Sequence, residues 1–576
     1  MNKLVREKRF KAIVLTLTIL LSTAVSAFFM YTKQGFHEDE LLTFNLANSS
    51  VQINPSDDFI TPDDINAYLS VSDGNRFNYG LVYENQIRDG VHPPLYYIIF
   101  NSVCSLFPNT FSKWFPFSLN AVFMAFALFF MYKIAKLITG RFKYSFTAMA
   151  AYAFSIACIT TVIYIRMYAM LTFFTTAFSY VTLIMYCDGP RKNKKHIAAM
   201  ALVCFFGNLT HYYFILFELL TGITMLIITL RKKRARVMKK YIITGILSGC
   251  ASLCAYPFII ANVLLGNRGL DSGGLSIDFI TLATYVVYKL STYALILAKD
   301  LFVNKAWLFA LVSIALAAAL IYMRVVRKKK ISPKTKIIFF PSLIFLIGIS
   351  LVSPFNSDRY IMCVLPLLVI VTVTSFIRLF RLIKLKYSYA IITVSVVIVS
   401  VIGLLSVKPY YTYGMTDLYN TQTKTCLFVG TSMQEWTKSL DKLMQYDKTL
   451  IAQTELDMGF VESLDSFAEE RGVKTNGKIA QFASYYIDSA NTSNENNNLN
   501  TALKNSELNS EYEITVYISQ LCSKEKVISY IRNNTSFNAY ELIQADYDFN
   551  DYYNWYDYFA ETESYCNVYR FYKEKI

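Results

Sequence analysis

Charge is scarce in this chain. Only 17% of its 576 residues are Asp, Glu, Lys or Arg, where a soluble domain ordinarily carries about 25%. Glycine (21) and proline (13) are too few for a collagen-like or low-complexity array, and no internal repeat is evident. The ten cysteines form no CxxC pair and no metal-ligand spacing. Seven of them lie in or beside apolar segments, and the other three (Cys426, Cys522, Cys566) allow at most one disulfide and a free thiol. These absences exclude a disulfide-built scaffold, a disordered chain and an ordinary cytosolic enzyme. What fills the deficit is apolar and aromatic: 54% hydrophobic residues, with 44 Phe and 43 Tyr. The class that remains is a polytopic α-helical membrane protein.

The net charge of +15 hides two opposite halves. Residues 1–407 carry 41 Lys/Arg against 17 Asp/Glu, whereas residues 408–576 carry 15 against 24. The basic excess sits in short runs between apolar segments: Lys3 to Lys11, Arg191 to Lys195, Arg231 to Lys240, Arg324 to Lys336, and Arg378 to Lys386. Nucleic-acid binding would place basic residues on a folded face with interleaved aromatics. Runs that flank spans mark the cytoplasmic side instead. No nucleic-acid partner is expected; the bilayer is.

A span needs about 20 mostly apolar residues. Eleven stretches qualify: 12–31, 116–138, 146–165, 167–186, 196–212, 213–230, 241–262, 306–326, 337–353, 360–377 and 388–407. The first could be read as a secretory signal, since Ala24-Val25-Ser26-Ala27 resembles a cleavage site. Its apolar run continues through Phe28, Phe29 and Met30, which favours a span. Threading eleven spans puts every basic run inside and leaves 32–115, 263–305, 354–359 and the tail outside. Two shorter apolar stretches, 94–107 and 282–298, then read as helices lying on the outer face; thirteen spans result if both cross.

The chain accordingly divides into a membrane domain, 1–407, with the outer loop 32–115, and an extracytoplasmic α/β tail, 408–576. In the tail, Thr425 to Gly430, Thr449 to Gln453 and Ile514 to Ser519 read as strands, and Gln434 to Tyr446 and Ser523 to Asn533 as helices. Asn491 to Asn500 reads as a loop. The Tyr-rich segment Tyr547 to Tyr558 offers rings on which sugars could stack, although packing of a small domain accounts for such tyrosines equally simply.

Ionisable residues in or at the edge of spans carry the functional signal, because burying them in lipid is costly. Arg166, His211, Glu218 and Arg359 are the four, and all fall at or near outer ends. None sits at the midplane, where a transporter's coupling site would lie. Taken singly, the arginines could snorkel to headgroups and the histidine could cap a helix. Two loop motifs add to them. His37-Glu38-Asp39-Glu40 follows the first span directly; it could be no more than an acidic helix N-terminus suited to the dipole. Asp89-Gly90-Val91-His92-Pro93-Pro94-Leu95-Tyr96-Tyr97 uses its proline pair to hand an extended backbone over to an apolar helix.

Together these residues carry a resemblance. An acidic pair after the first span, then HPPLYY, then Arg166-Met167-Tyr168, then His211-Tyr212-Tyr213, then Arg359-Tyr360 followed by Pro366, resembles the GT-C polytopic glycosyltransferases. The branch is the family-39 or aminoarabinose-transferase-like group related to protein mannosyltransferases. The resemblance covers about residues 1–407, with HPPLYY its most specific piece. It implies transfer of one sugar, with inversion, from a polyprenyl-phosphate donor to an acceptor on the outer face of the membrane; the acceptor would be a glycolipid, a cell-wall polymer or a protein. The absence of a transit peptide and the short basic loops point to a bacterial plasma membrane. The resemblance further implies that Asp39 is the base, with Glu40 orienting it or touching acceptor and Glu38 as its rival. His92, Arg166, Tyr168, His211, Tyr212, Arg359 and Tyr360 would surround the donor phosphate, and Asp89 would fix the His92 loop. The sequence departs from the family before Arg166, where Val162-Ile163-Tyr164-Ile165 stands in place of the usual Gln-Glu-Ala, so no carboxylate role carries over there. A divalent cation could sit beside Glu38, Asp39 and Glu40, but monosaccharide-transferring relatives generally need none, and no metal or other cofactor is expected. The competing readings are a transporter or lipid flippase, which would want inverted repeats and midplane charges, and a non-catalytic scaffold acting through the tail.

Overall fold

The computed structural model describes residues 3–33, 35–188, 194–264, 279–328, 330–353, 356–406, 423–455, 457, 498–548 and 565–574. The chain forms two compact units that cut across the expected boundary at residue 407. One comprises Met1–Thr32, Tyr79–Val103 and Ser112–Tyr410; the other comprises Lys33–Asn78, Cys104–Phe111 and Tyr411–Ile576. Most of the first outer loop therefore belongs with the tail.

The first unit is helical. Among the described residues nine helices are long and apolar enough to cross a membrane: Val5–Thr32, Trp114–Thr139, Tyr168–Cys187, Tyr212–Arg231, Arg236–Ala255, Ala306–Val325, Pro333–Val352, Met362–Leu382 and Ser388–Ser406. A tenth candidate is a broken helix, Phe142–Ala153 and Ile156–Ile163, bent by 56°. The eleventh expected span, 196–212, is instead a helix of 15 residues, Lys194–Asn208. The stretch 94–107 forms Leu95–Cys104, whose 10 residues are too short to cross. The stretch 282–298 lies in a longer helix than expected, the 23-residue Phe279–Leu301.

The bend contains no proline. Ser155 makes it instead: its hydroxyl donates to the Tyr152 carbonyl (2.7 Å) and accepts from the Cys158 amide (3.2 Å), capping the second half. The Ala153 carbonyl freed by the break is taken by the Ser22 hydroxyl (2.6 Å) from the first helix. A backbone group left unpaired inside a bilayer costs several kcal/mol, so such a break is tolerated only where neighbours supply partners. Helix Tyr168–Asp188 is the most enclosed span, and its buried face is a seam of Thr172, Thr175, Thr176, Ser179 and Thr182. Small hydroxyl residues let helix backbones approach closely.

The second unit is α/β. Strands β1 (Thr425–Gly430), β2 (Lys448–Gln453) and β3 (Glu513–Ser519) agree with the sequence reading, while β4 (Ala539–Asp548) and β5 (Tyr565–Tyr572) were not foreseen. The order is β2-β1-β3-β5-β4, with β1 parallel to β2 and β3, and β5 antiparallel to β3 and β4. The core packs Leu427, Val429, Leu450, Val516, Ile518 and Tyr569 under helix Lys524–Asn534 and its Val527 and Ile531. The helix expected over Gln434 to Tyr446 is two short pieces, Met433–Thr437 and Leu440–Leu443. Most of the Tyr-rich segment, from 549 onward, and most of the Asn-rich loop, 491–497, lie outside the described residues.

The segment that follows the first helix completes this sheet. Ile60 and Thr449 exchange both backbone hydrogen bonds at 2.8 Å, and the Ser56 amide donates to the Ile451 carbonyl (3.3 Å), so the segment around 56–60 runs along the β2 edge. An open edge is a template for unwanted pairing, and this one is covered.

Asp441 is buried in this unit and its carboxyl is pushed up to about 6, first by burial, with Lys442 pulling it down, Glu40 adding repulsion and Lys33 opposing that. A folded-state value above the unfolded one means that stability from this group is full below pH ~4 and is lost as pH rises through ~6, by about 3 kcal/mol in all. Melting curves of wild type and Asp441→Asn from pH 4 to 7.5 should converge at the acid end and separate at the alkaline end, the variant losing the decline.

Candidate functional site

Four turns of the helical unit bring its predicted site residues together. Helix Tyr79–Asp89 ends at Gly90, whose φ of +64° is the left-handed conformation glycine adopts freely. His92 and the two prolines follow, and the Leu95 amide at the head of the next helix donates to the Leu209 carbonyl (3.1 Å). That bond ties the HPPLYY turn to the turn that ends in His211. The third turn, Tyr164 to Met167, is tight, with the Arg166 amide donating to the Tyr164 carbonyl (2.8 Å). The fourth is the pair of 3-10 turns Asp358–Tyr360 and Met362–Val364, ahead of the helix beginning Leu365-Pro366.

Three charged or titratable side chains form a chain. His92 Nδ1 lies 3.2 Å from Asp89 Oδ2, and His92 Nε2 lies 3.3 Å from Arg166 Nη2. A guanidinium can only donate. Nε2 is therefore an acceptor, the ring proton sits on Nδ1, and Nδ1–H donates to the Asp89 carboxylate. Burial alone would push that carboxyl up, but the hydrogen bond from His92 and the positive charge beyond it outweigh burial and hold it below the usual carboxylate range. His92 thus has both nitrogens engaged and serves to orient Arg166, which is itself buried.

An aromatic row links this chain to Arg359. The His92 and His211 rings meet edge to face at 5.5 Å; His211 lies 5.8 Å from Tyr168, which stacks on Tyr164 at 5.8 Å. Arg359 donates to the Tyr164 hydroxyl (3.2 Å) and the Tyr360 hydroxyl (3.3 Å), with its Cζ 5.1 Å from the centre of the Tyr360 ring. His211 caps its helix, Nδ1 accepting the Tyr213 amide at 3.1 Å, which leaves the ring proton of the neutral form on Nε2.

Two of the expected residues stand apart. Tyr212 turns its hydroxyl to Asn262 (2.9 Å) and packs with Leu209 and Tyr256; Tyr213 is the one whose ring meets His211 (4.4 Å) and Tyr360 (6.0 Å). On a helix, neighbours in sequence point about 100° apart, so a double tyrosine leaves the choice open until the helix is placed. Glu218 lies deeper in its span, with Cys204 and Asn208.

Asn120 and Tyr164 were missed. Asn120 lies fully buried in span Trp114–Thr139; its amide donates to the carbonyls of Val162 (3.2 Å) and Tyr164 (2.9 Å), and its oxygen accepts from the Tyr96 hydroxyl (3.2 Å). It thereby pins the Arg166 turn to the HPPLYY helix. A lone amide within an apolar span was the available signal.

The acidic motif lies in the other unit, at the N-terminus of helix Glu38–Asn48. His37 Nδ1 accepts the Asp39 amide (3.0 Å), and Glu40 Oε2 accepts the His37 amide (2.8 Å), a reciprocal cap. Both Glu40 oxygens also lie 2.8 Å from Lys33 Nζ, and the pair is fully enclosed. Asp39 keeps part of its side chain exposed, with Oδ2 3.7 Å from His37 Nδ1. One ligand atom each from His37, Glu38 and Asp39 fall within 4.8 Å of one another, a donor set suited to a divalent cation.

With this many apolar helices the chain is a multi-pass membrane protein. No protein-family model matches it, and no curated protein matches it in sequence. Among solved structures it is similar to ArnT from Cupriavidus metallidurans bound to undecaprenyl phosphate: 10% identity, 96% of this chain and 97% of that one covered, TM-score 0.48. It is also similar to the archaeal oligosaccharyltransferase AglB from Archaeoglobus fulgidus in complex with an inhibitory peptide and a dolichol-phosphate: 9% identity, 92% and 73% covered, TM-score 0.42. Both neighbours are GT-C membrane glycosyltransferases. With scores below 0.5 and identities near a tenth, neither likeness bears on the activity of this chain.

Asn120→Ala should free two buried carbonyls and cost about 1–3 kcal/mol. Thermal unfolding of the detergent-solubilised protein measures this directly, and an unchanged midpoint would remove Asn120 from the framework of the site.

Proposed function

We propose that this protein is a membrane glycosyltransferase that moves one sugar from a polyprenyl-phosphate donor to an acceptor hydroxyl at the outer face of the membrane, with inversion. The observation that carries the reading is the Asp89–His92–Arg166 chain with Arg359 at the far end of the aromatic row. It gathers, from distant stretches of the sequence, most of the residues through which the chain resembles these enzymes.

In this reading the two guanidinia bind the departing phosphate. Arg166 is held by His92, so little of its rotamer freedom is lost on binding, and charge-assisted bonds to phosphate are about twice as strong as neutral ones. The tyrosine hydroxyls and the Nε2–H of neutral His211 are further donors. As the acceptor oxygen attacks the anomeric carbon from the opposite side, the bond to the phosphate oxygen breaks and the phosphate leaves as an anion, so no general acid is required. The acceptor's proton passes to a carboxylate. Of the three acids, Glu40 is enclosed by Lys33 and its own helix cap; of the other two, the resemblance assigns the base to Asp39, with Glu38 as its rival. Lipid-linked donors suit this face because nucleotide sugars do not reach it.

Purified protein should move label from one member of a panel of radiolabelled polyprenyl-phosphate sugars into a membrane extract. Asp39→Asn should cut transfer by about a hundredfold or more. Arg359→Gln should weaken donor use by about 2 kcal/mol in kcat/KM, roughly thirtyfold. Absence of transfer with every donor, from folded protein, would overturn the reading.

A further inference from the structure

The acidic turn is held in place by residues from the far end of the sequence. Within the α/β unit, the short helices Met433–Thr437 and Leu440–Leu443 of the tail pack beside helices Glu38–Asn48 and Pro62–Leu69 of the outer loop. Trp436 is buried, and its indole Nε1–H donates to the Ile53 carbonyl at 3.3 Å. Ile53 begins the segment that goes on to line the β2 edge. Asn45 ties that segment back to the acidic helix, its amide donating to the carbonyls of Val51 (2.9 Å) and Tyr68 (3.1 Å). The Asp441 carboxyl is near enough for its charge to act on both Lys33 and Glu40.

The first turn of a helix of 11 residues, left alone, frays. Here the turn closes through Glu40, which accepts the His37 amide while Lys33 grips both its oxygens. A buried Lys–Glu pair adds little net stability, but it permits only one geometry. A shift of Glu40 would move the His37 amide, the ring that receives the Asp39 amide, and so Asp39 itself.

We propose that the Met433–Leu443 segment of the tail is a positioning element for Asp39, acting through Trp436 on the turn that the Glu40–Lys33 pair closes. The tail is then a working part of the site. This rests on the reading in which Asp39 is the base. Catalytic geometry tolerates little displacement, and a misplacement of about 1 Å can cost a hundredfold in rate.

The test uses the full-length protein in detergent with two variants. Trp436→Phe keeps a buried ring while removing the bond to Ile53 and part of the indole's volume; Glu40→Gln keeps the shape and removes the charge. Amide hydrogen exchange of the peptide spanning 38–48 should quicken about fivefold in the first variant and more in the second, strands β1 to β3 staying protected. Sugar transfer should lose kcat by about tenfold with the donor KM within about twofold of wild type. Unchanged exchange over 38–48 in Trp436→Phe overturns the proposal, as does faster exchange spread evenly over the sheet, or faster exchange with kcat intact. Wild-type protein that transfers no sugar from any donor overturns the transferase reading and with it the catalytic half of this one. The exchange result still decides whether the tail holds the turn.

Discussion

A guanidinium donates and never accepts, and the arrangement of the helical unit follows from giving one a fixed direction. Arg166 needs an acceptor, His92 supplies it through Nε2, and that choice forces the ring proton onto Nδ1 and requires Asp89 to receive it. Arg166 is delivered by one turn, and His92 with Asp89 by another. Gly90 lets the Asp89 helix stop sharply, the proline pair extends the backbone past His92, and the Leu95–Leu209 bond brings the His211 turn alongside. Asn120, in a neighbouring span, holds the carbonyls of the turn that carries Arg166. Few of these features contribute much stability singly; their joint effect is to restrict where one cation can point.

The same economy governs the broken span. A bend of 56° inside a helix that could cross a membrane would expose backbone groups to lipid, and two serine hydroxyls take them up. The bend delivers Ile156–Ile163 directly into the tight turn that bears Tyr164 and Arg166, so a device that looks like a defect in a span sets the approach to the site.

Much of this was legible in the sequence, for identifiable reasons. Long apolar runs give spans wherever a helix has about 20 residues to bury. The strands β1 to β3 declare themselves as buried apolar runs. The ions at the ends of spans pointed to the cluster because ions near lipid are costly, and HPPLYY pointed to it through the family resemblance. What was not legible depended on placement. Which of Tyr212 and Tyr213 faces His211 turns on helix rotation. Whether Glu40 or Asp39 keeps water on its carboxylate turns on Lys33, seven residues back, swinging over to cover one of them. β4 and β5, rich in polar and aromatic residues, lack the plain alternation that would have marked them. Nor could local patterning reveal that the segment around Ile60 closes the edge of a sheet whose strands begin at Thr425.

That last feature bears on how the protein is made. Ile60 is synthesised nearly 390 residues before Thr449, the residue it pairs with. At translation rates of roughly 5–20 residues per second, the loop waits on the order of 20 to 80 seconds for the strand that covers it. Over that interval it carries an edge-forming segment, an acidic helix and a lysine meant for burial without the tail segments that pack on them, while the later spans are being made. A nascent chain of this design is most open to mispairing and proteolysis at the loop after its first helix, and it becomes safe there only once the strand Lys448–Gln453 has been made.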